Sequence, residues 1–381
     1  MRLLHVHSGN LYGGVETLLL SLERCRALCP EMQPAFALCF DGRIAAELRQ
    51  AGATVFIVGR VRARNPVQII RARRRLRRIL NAGAFDAVIC HMAWPLAVFG
   101  AAVRRVRLPL IFWMHDAVTR RNWLSTWAGL SLPDLVICNS RFTASTLERM
   151  FTAAPVENLY HPVPRPAETL KPAQRQALRN RLNTPCEAVV IVQASRMDPG
   201  KGHHLLLSAL AQLADVPHWV CWIVGGAQRR EEVAYEATLH ARSIELGLTE
   251  RMRFLGQRTD VAQLLAAADI FCQPNLGAEA FGIAFIEAMH AGLPVVTTAT
   301  CGPLEILNES CSVLVSPNDA TALAAQLDML LKNEALRRQL GAAGISRAAQ
   351  LCDPGRQLKR LQGIIQQAVN AGESSALPYH A

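Results

Sequence analysis

Glu279 and Glu287 stand eight positions apart, and between them Phe281-Gly282-Ile283 opens an apolar segment, Phe281–His290, that reads as a helix start. A loop carboxylate, a glycine that lets backbone N–H groups approach a ligand, and a second carboxylate about two helical turns on suit a polyhydroxylated anion. Carboxylates accept hydrogen bonds from sugar hydroxyls, and a helix N-terminus faces phosphate. Upstream, Arg196 and Lys201 are five positions apart in Arg196-Met-Asp-Pro-Gly-Lys201-Gly202, a turn ahead of the helical stretch His203–Leu213. Two cations plus helix N–H groups make a diphosphate clamp, able to stabilise negative charge as it develops on a leaving group. The plain alternatives are a solvated turn for the cations and a surface ion pair for Glu287, whose neighbours Phe285, Ile286, Ala288 and Met289 are apolar.

Weaker signals lie just after other strand-like runs. Gly13-Gly14-Val15-Glu16 opens a helix, either for close backbone approach to a phosphate or as a packing turn. It is not G-x-G-x-x-G, and no acidic residue ends the second strand, so a dinucleotide reading is weak. His115-Asp116 closes the run Leu110–Met114, placing a hydrogen-bonding imidazole and a carboxylate where a hydroxylated ligand would sit; a helix cap with a satisfied histidine is the alternative. Val224-Gly225-Gly226 and Phe254-Leu255-Gly256 are strands ending in glycine, an ordinary arrangement. The sequence has no D-x-D, no H-E-x-x-H and no Cys/His spacing suited to zinc, and the adjacent His203 and His204 do not share a helix face. Metal and resident cofactor are therefore not expected.

These residues need a scaffold. The chain has 381 residues, of which 51% are hydrophobic, enough for two domains with their own cores. No apolar run reaches the length of a membrane span, and the first residues enter a strand-like segment rather than a signal peptide. Eleven scattered cysteines, mostly inside apolar runs, read as buried free thiols of a reducing compartment. The net charge of +11 belongs wholly to residues 1–170, with 22 arginines, no lysine and 11 acids. Nine of those arginines fall in Arg60–Arg78, where Ile69, Ile70, Leu76, Ile79 and Leu80 alternate with them as a basic amphipathic helix. It reads either as a surface helix whose arginine stems cover its margin or as a contact for anionic lipid. Nucleic acid is not expected, because no aromatic platform interleaves the charges.

Short, nearly continuous apolar runs alternate with helical patterns along the whole chain, as parallel strands buried on both faces require. The first half offers Leu3–His7, Ala35–Cys39, Thr54–Val58, Ala87–Cys90, Leu110–Met114, Leu135–Cys138 and Val156–Leu159. The second offers Ala188–Gln193, Trp219–Val224, Met252–Leu255, Ile270–Gln273, Val295–Thr298 and Ser312–Val315. Between them residues 160–172 carry four prolines and read as a linker. The reading is α/β: two Rossmann-like domains facing a central cleft, with the tail after Asn370 frayed.

The E-x7-E segment and the R-x4-K-G turn resemble those of the retaining family 4 glycosyltransferases, and the likeness runs from Gly13 to Glu305. It implies the GT-B fold, with an acceptor-binding domain at 1–165, a nucleotide-sugar-binding domain at 166–353, and a helix at 354–381 crossing back to the first. It implies that Glu279 contacts donor sugar hydroxyls, Glu287 the ribose, and the N–H groups of Phe281, Gly282 and Ile283 the sugar or diphosphate. By the same resemblance His115 positions the sugar, Arg196 and Lys201 stabilise the leaving group, Gly13, Gly14, Gly225 and Leu255 meet the donor, and Asp116 meets the acceptor. The resemblance also implies that the departing phosphate takes the acceptor's proton on the same face, and no carboxylate stands out as a conventional nucleophile. The sequence departs from the family where Cys301 replaces the first of two glycines before Glu305, and where Tyr160-His161-Pro162 replaces Asn-Gly. The expected activity is transfer of a hexose-type sugar from a UDP- or GDP-sugar to a glycan, lipid-linked or small-molecule hydroxyl, in the cytoplasm and peripheral to the inner membrane face through Arg60–Arg78. A nucleotide-sugar epimerase or hydrolase on the same fold, or a non-catalytic polyanion-binding protein, are the alternatives. The sequence does not choose between donor bases or sugars.

Overall fold

Apolar runs too short for helices and flanked by glycine or polar turns become parallel strands in the computed structural model, which describes residues 1–151, 153–166 and 170–376. The chain divides into two units, Met1–Pro164 with Cys352–Ala381, and Arg165–Leu351, and the division falls inside the proline-rich stretch. The first unit holds β1 (Arg2–His7), β2 (Gln33–Leu38), β3 (Thr54–Ile57), β4 (Ala87–His91), β5 (Leu110–Met114), β6 (Leu135–Cys138) and β7 (Val156–Asn158), all parallel in the order β3-β2-β1-β4-β5-β6-β7. The second holds β8 (Val189–Ala194), β9 (Trp219–Val224), β10 (Met252–Gly256), β11 (Ile270–Gln273), β12 (Val295–Thr298) and β13 (Ser312–Val315), parallel in the order β10-β9-β8-β11-β12-β13. Every apolar run read from the sequence is a strand. Both units are doubly wound α/β folds with their own cores, around Leu4, Val88 and Phe112 in one and Ile191, Cys221 and Ile270 in the other.

Strand order reverses between β1 and β4 in the first sheet and between β8 and β11 in the second, and ligands of such sheets bind outside the carboxyl ends at that reversal. The amino ends are closed by aspartates. Asp86, just before β4, accepts the Arg2 N–H at 2.5 Å, Asp134, before β6, the Leu110 N–H at 2.7 Å, and Asp269, before β11, the Val190 N–H at 2.7 Å. Arginines neutralise two of these carboxylates: Arg104 on Asp134, and Arg175 with the nearly buried Arg179 on Asp269. Most of the charge at that edge is thus matched within the fold.

Element ends shift by a residue or two in several places, and two differences bear on the site and on the helix from Pro354. The helix expected from Phe281 begins at Ile283, because Gly282 has φ 93, a left-handed conformation that cannot continue a right-handed helix. Of the tail expected to fray after Asn370, residues 371–376 continue the helix Pro354–Ala376, and residues 377–381 lie outside the described residues. Within the first unit Leu358 and Leu361 of that helix line a crevice with Leu3, His5 and Leu22, which ties the end of the chain to its beginning. All eleven cysteines are unpaired; nine are buried, Cys186 is exposed and Cys301 partly so.

Candidate active site

The turn after β8 and the loop after β11 meet backbone to backbone. Leu276 and Gly277 N–H both donate to the Gly200 carbonyl, at 2.9 and 3.0 Å. A Cβ on Gly202 would lie 1.8 Å from the Pro274 carbonyl oxygen, so only glycine admits this approach. Locked this way, the two loops bring Lys201 Nζ within 2.5 Å of Glu279 Oε2, across 78 residues of sequence. Neither group is fully enclosed, with 25% and 13% of their side chains exposed. Arg196 lies on the same turn and is about a third exposed; it is 3.2 Å from Asp198 and 3.8 Å from Glu232. The result is a partly open cluster of two cations and three carboxylates at the strand-order reversal of the second sheet.

Glu287 is one helical segment further on. It is partly buried among apolar neighbours and has no side-chain hydrogen bond or ion pair among the described residues. Loss of water pushes its carboxyl up to about 7. Phe281 is buried, and Gly282 turns the chain into the helix Ile283–His290, whose first N–H groups have no helical partner. Gly302 N–H donates to the Glu279 carbonyl at 3.1 Å, which fixes this loop from the other side. Cys301, where the resemblance expects glycine, has φ 55, so the backbone keeps a glycine-like path. Gly225 ends β9 with φ 134 and bonds Gly256. The β9–β10 register slips between Phe254 and Gly256, which leaves the Leu255 peptide off the ladder.

The first unit presents a different carboxyl edge. The helix Gly14–Arg24 begins after Gly13, whose N–H is accepted by Glu16 Oε2 at 2.9 Å, while Glu16 Oε1 meets His7 Nε2 at 2.6 Å. The Gly13 donor is therefore already engaged. His115 is 5% exposed, and both its ring nitrogens face other histidines: Nε2 is 2.9 Å from His91 Nδ1, and Nδ1 is 3.2 Å from His161 Nε2. His91 Nε2 is in turn 2.9 Å from His5 Nδ1. Four imidazoles thus form one chain across β1, β4 and β5, with Trp113 stacked on His91 and His115. Each N···N contact needs one N–H and one lone pair, so the chain is satisfied with all four rings neutral and their tautomers running in one sense. Burial depresses every one of them, His5 and His161 to about 3, and His91 and His115 well below the ordinary imidazole value. Asp116, next to His115, is exposed. The sequence-derived residues thus fall into two sets, Arg196, Lys201 and Glu279 in one unit, with Lys201 and Glu279 in direct contact and Arg196 on the same turn as Lys201, and Gly13, Gly14, His115 and Asp116 in the other.

Residues 12–165 match the model of Glycosyltransferase Family 4, and residues 174–347 that of Glycosyl transferases group 1. The phosphatidyl-myo-inositol mannosyltransferase of Mycobacterium leprae is 30% identical over 71% of this chain and 70% of that protein. The chain belongs to this glycosyltransferase family. The D-inositol 3-phosphate glycosyltransferase of Mycobacterium marinum is 33% identical over 57% of the chain but only 45% of that relative's length. Among solved structures, Anabaena HepE in complex with UDP-glucose superposes with a TM-score of 0.86 at 23% identity, covering 96% of this chain and 100% of that one. The lipopolysaccharide glycosyltransferase WaaG follows at a TM-score of 0.71 and 17% identity, over 94% and 98%. The shared fold is GT-B.

Several residues around the candidate site carry little or no signal in the sequence. Asp198 lies inside the R-x4-K-G turn, where its carboxylate accepts the Gly200 N–H at 2.8 Å and shapes the turn that carries Lys201. Glu16 and His7 share the glycine loop. Proximity to Gly13 was a signal for Glu16, and none pointed to His7. His91 lies one residue past the expected end of β4, and His161 sits in what reads as linker. Glu232 had only its place in a helix's first turn, where acids are common.

Proposed function

We propose that this glycosyltransferase moves a hexose-type sugar from a UDP- or GDP-sugar to an acceptor hydroxyl with retention. Arg196 and Lys201 stabilise the leaving diphosphate, Glu279 orients the sugar hydroxyls and Glu287 accepts from the ribose. The Lys201–Glu279 pair at the β8/β11 reversal carries this reading, because it holds a cation for phosphate beside a carboxylate for sugar, both reachable from solvent. The helix start at Gly282–Ile283 offers N–H groups to the diphosphate, and the unladdered Leu255 peptide, near Gly225, offers backbone groups to the base. Sugar positioning by His115, donor contact by Gly13 and Gly14 and acceptor contact by Asp116 complete the proposed assignment. The departing phosphate then takes the acceptor proton.

The acceptor we favour is lipid-borne. From Arg60 to Arg121 the sequence has fourteen arginines against two acids, Asp86 and Asp116. The outward stripe of the helix Pro66–Gly83 mixes the half-exposed Val67 and Ile70 with Arg71, Arg74 and Arg78. This helix packs beside Ala93–Arg104, which packs beside Trp123–Gly129, where Trp123 and Leu130 are exposed. Aliphatic and indole groups among cations suit an anionic membrane face better than open water, at about 1 kcal/mol per basic residue. Among the described residues no helix is long and apolar enough to cross a membrane, so contact would be peripheral, and we place it at the cytoplasmic leaflet. The first relative's name, a phosphatidyl-myo-inositol mannosyltransferase, supports a lipid acceptor.

A thermal-shift panel of nucleotide sugars, followed by a product assay with the best binder and anionic vesicles carrying phosphoinositide, tests the reading. Transfer to lipid that disappears in Glu279→Ala is expected. Turnover of donor without any acceptor would favour an epimerase or hydrolase, and binding without turnover a non-catalytic role.

A further inference from the structure

Glu232 lies in the first turn of the helix Arg230–Glu245 and is only 6% exposed. Its Oε2 accepts the Gln228 N–H at 2.7 Å, which ties down the loop after β9. Its Oε1 faces the Arg196 guanidinium at 3.8 Å. The bond to Gln228 alone needs only a neutral acceptor, which a glutamine would supply. Favourable interaction with the helix dipole needs only an exposed acid, and Glu231 in the same turn already has a side chain 73% exposed. A carboxylate kept from water at this position therefore serves a cation, and Arg196 is the cation it faces.

We propose that Glu232 is a positioning residue for Arg196. An arginine side chain carries several rotatable bonds, and fixing them during reaction subtracts from the stabilisation its charge provides. Glu232, anchored through Gln228 and its own helix, holds the guanidinium in place beforehand, while Asp198 holds it from the turn below. The pair links the loops after β8 and β9, so the pose of Arg196 depends on both. This inference rests on Arg196 stabilising the leaving diphosphate.

The test uses the full chain with UDP-glucose and GDP-mannose, following whichever is turned over. Glu232→Gln keeps an acceptor for Gln228 and removes the charge; kcat is expected to fall about tenfold, near 1.4 kcal/mol, with donor KM changed less than about twofold. Glu232→Asp, which keeps the charge, recovers part of that loss. Arg196→Ala falls further, and adding Glu232→Gln to it costs nothing more, as a residue acting through Arg196 requires. Thermal midpoints run in parallel. Equal losses in the Asp and Gln variants, a Gln effect that multiplies with Arg196→Ala, or an unchanged kcat in Glu232→Gln would overturn this role and leave the clamp standing. An Arg196→Ala enzyme as active as the wild type would overturn the clamp, and this role with it.

Discussion

Along β1, β4 and β5 the first unit carries a chain of neutral imidazoles bonded to each other and closed off from water. At the carboxyl ends of β8 and β11 the polar groups are full charges, paired but partly open. Burial explains both. A ring whose nitrogens are satisfied by neighbours tolerates a dry interior, whereas a cation that has to meet an incoming phosphate must keep some solvent and a partner it can leave. The first edge is built for rigidity and shape. The second keeps paired charge within reach of solvent, as the proposed departure of a diphosphate would demand.

The comparison is broken most sharply by removing charge from the second edge. Lys201→Ala or Glu279→Ala should lower kcat by roughly a hundredfold to a thousandfold in a product assay while the melting midpoint stays near wild type, since a partly exposed pair adds little to stability. The opposite pattern is expected at the first edge. His91→Phe leaves His5 Nδ1 and His115 Nε2 unpaired in the interior, so urea unfolding should show a loss of about 3 kcal/mol. If His91→Phe were as stable as the wild type, the imidazole chain would not be holding that edge together.

Two pH profiles sharpen the contrast, and their directions differ. His5 and His161 have folded values near 3 against an ordinary 6.5, so the unfolded chain binds the extra protons between those limits. Stability is full above about pH 6.5 and falls as pH drops, by about 1.4 kcal/mol per pH unit for each histidine titrating in the unfolded state. Urea midpoints at pH 7.5 and 5.5 measure this, and His5→Phe should flatten it. In its proposed role Glu287, raised to about 7, is largely protonated below that pH and is then a weaker acceptor for a ribose hydroxyl. Donor KM should rise by up to about tenfold per pH unit below 7 in the wild type and hardly at all in Glu287→Gln. The smallest effect is at Cys301. Left-handed backbone costs a side chain about 1 kcal/mol, and glycine's greater unfolded freedom costs nearly as much, so Cys301→Gly should change stability by under about 1 kcal/mol. Gly302→Ala, whose Cβ would lie 2.1 Å from the Ala280 carbonyl oxygen, should be severely destabilised by comparison.

Strands were the most legible part of the chain, because a run such as Trp219–Val224 is buried on both faces and tolerates almost nothing but apolar residues. The two acids and two cations of the second unit were legible because each lies within a few residues of its defining glycine. Only the structure revealed that Lys201 and Glu279 touch. The imidazole chain was hidden for a different reason: its successive contacts span 86, 24 and 46 residues, and nothing near His5 announces His91. Glu232 was hidden likewise, 36 residues from Arg196 on a separate helix.

Composition and periodicity by themselves determined that this chain makes strand–helix repeats in two units, with glycine turns and charged motifs after particular strands. Those properties follow from local geometry and from the need to keep apolar side chains out of water. Tertiary structure decided which strands are neighbours. By setting β1 against β4 and β8 against β11, it chose which distant side chains meet, and with that which polar groups became a buried neutral chain and which an open cluster of charge.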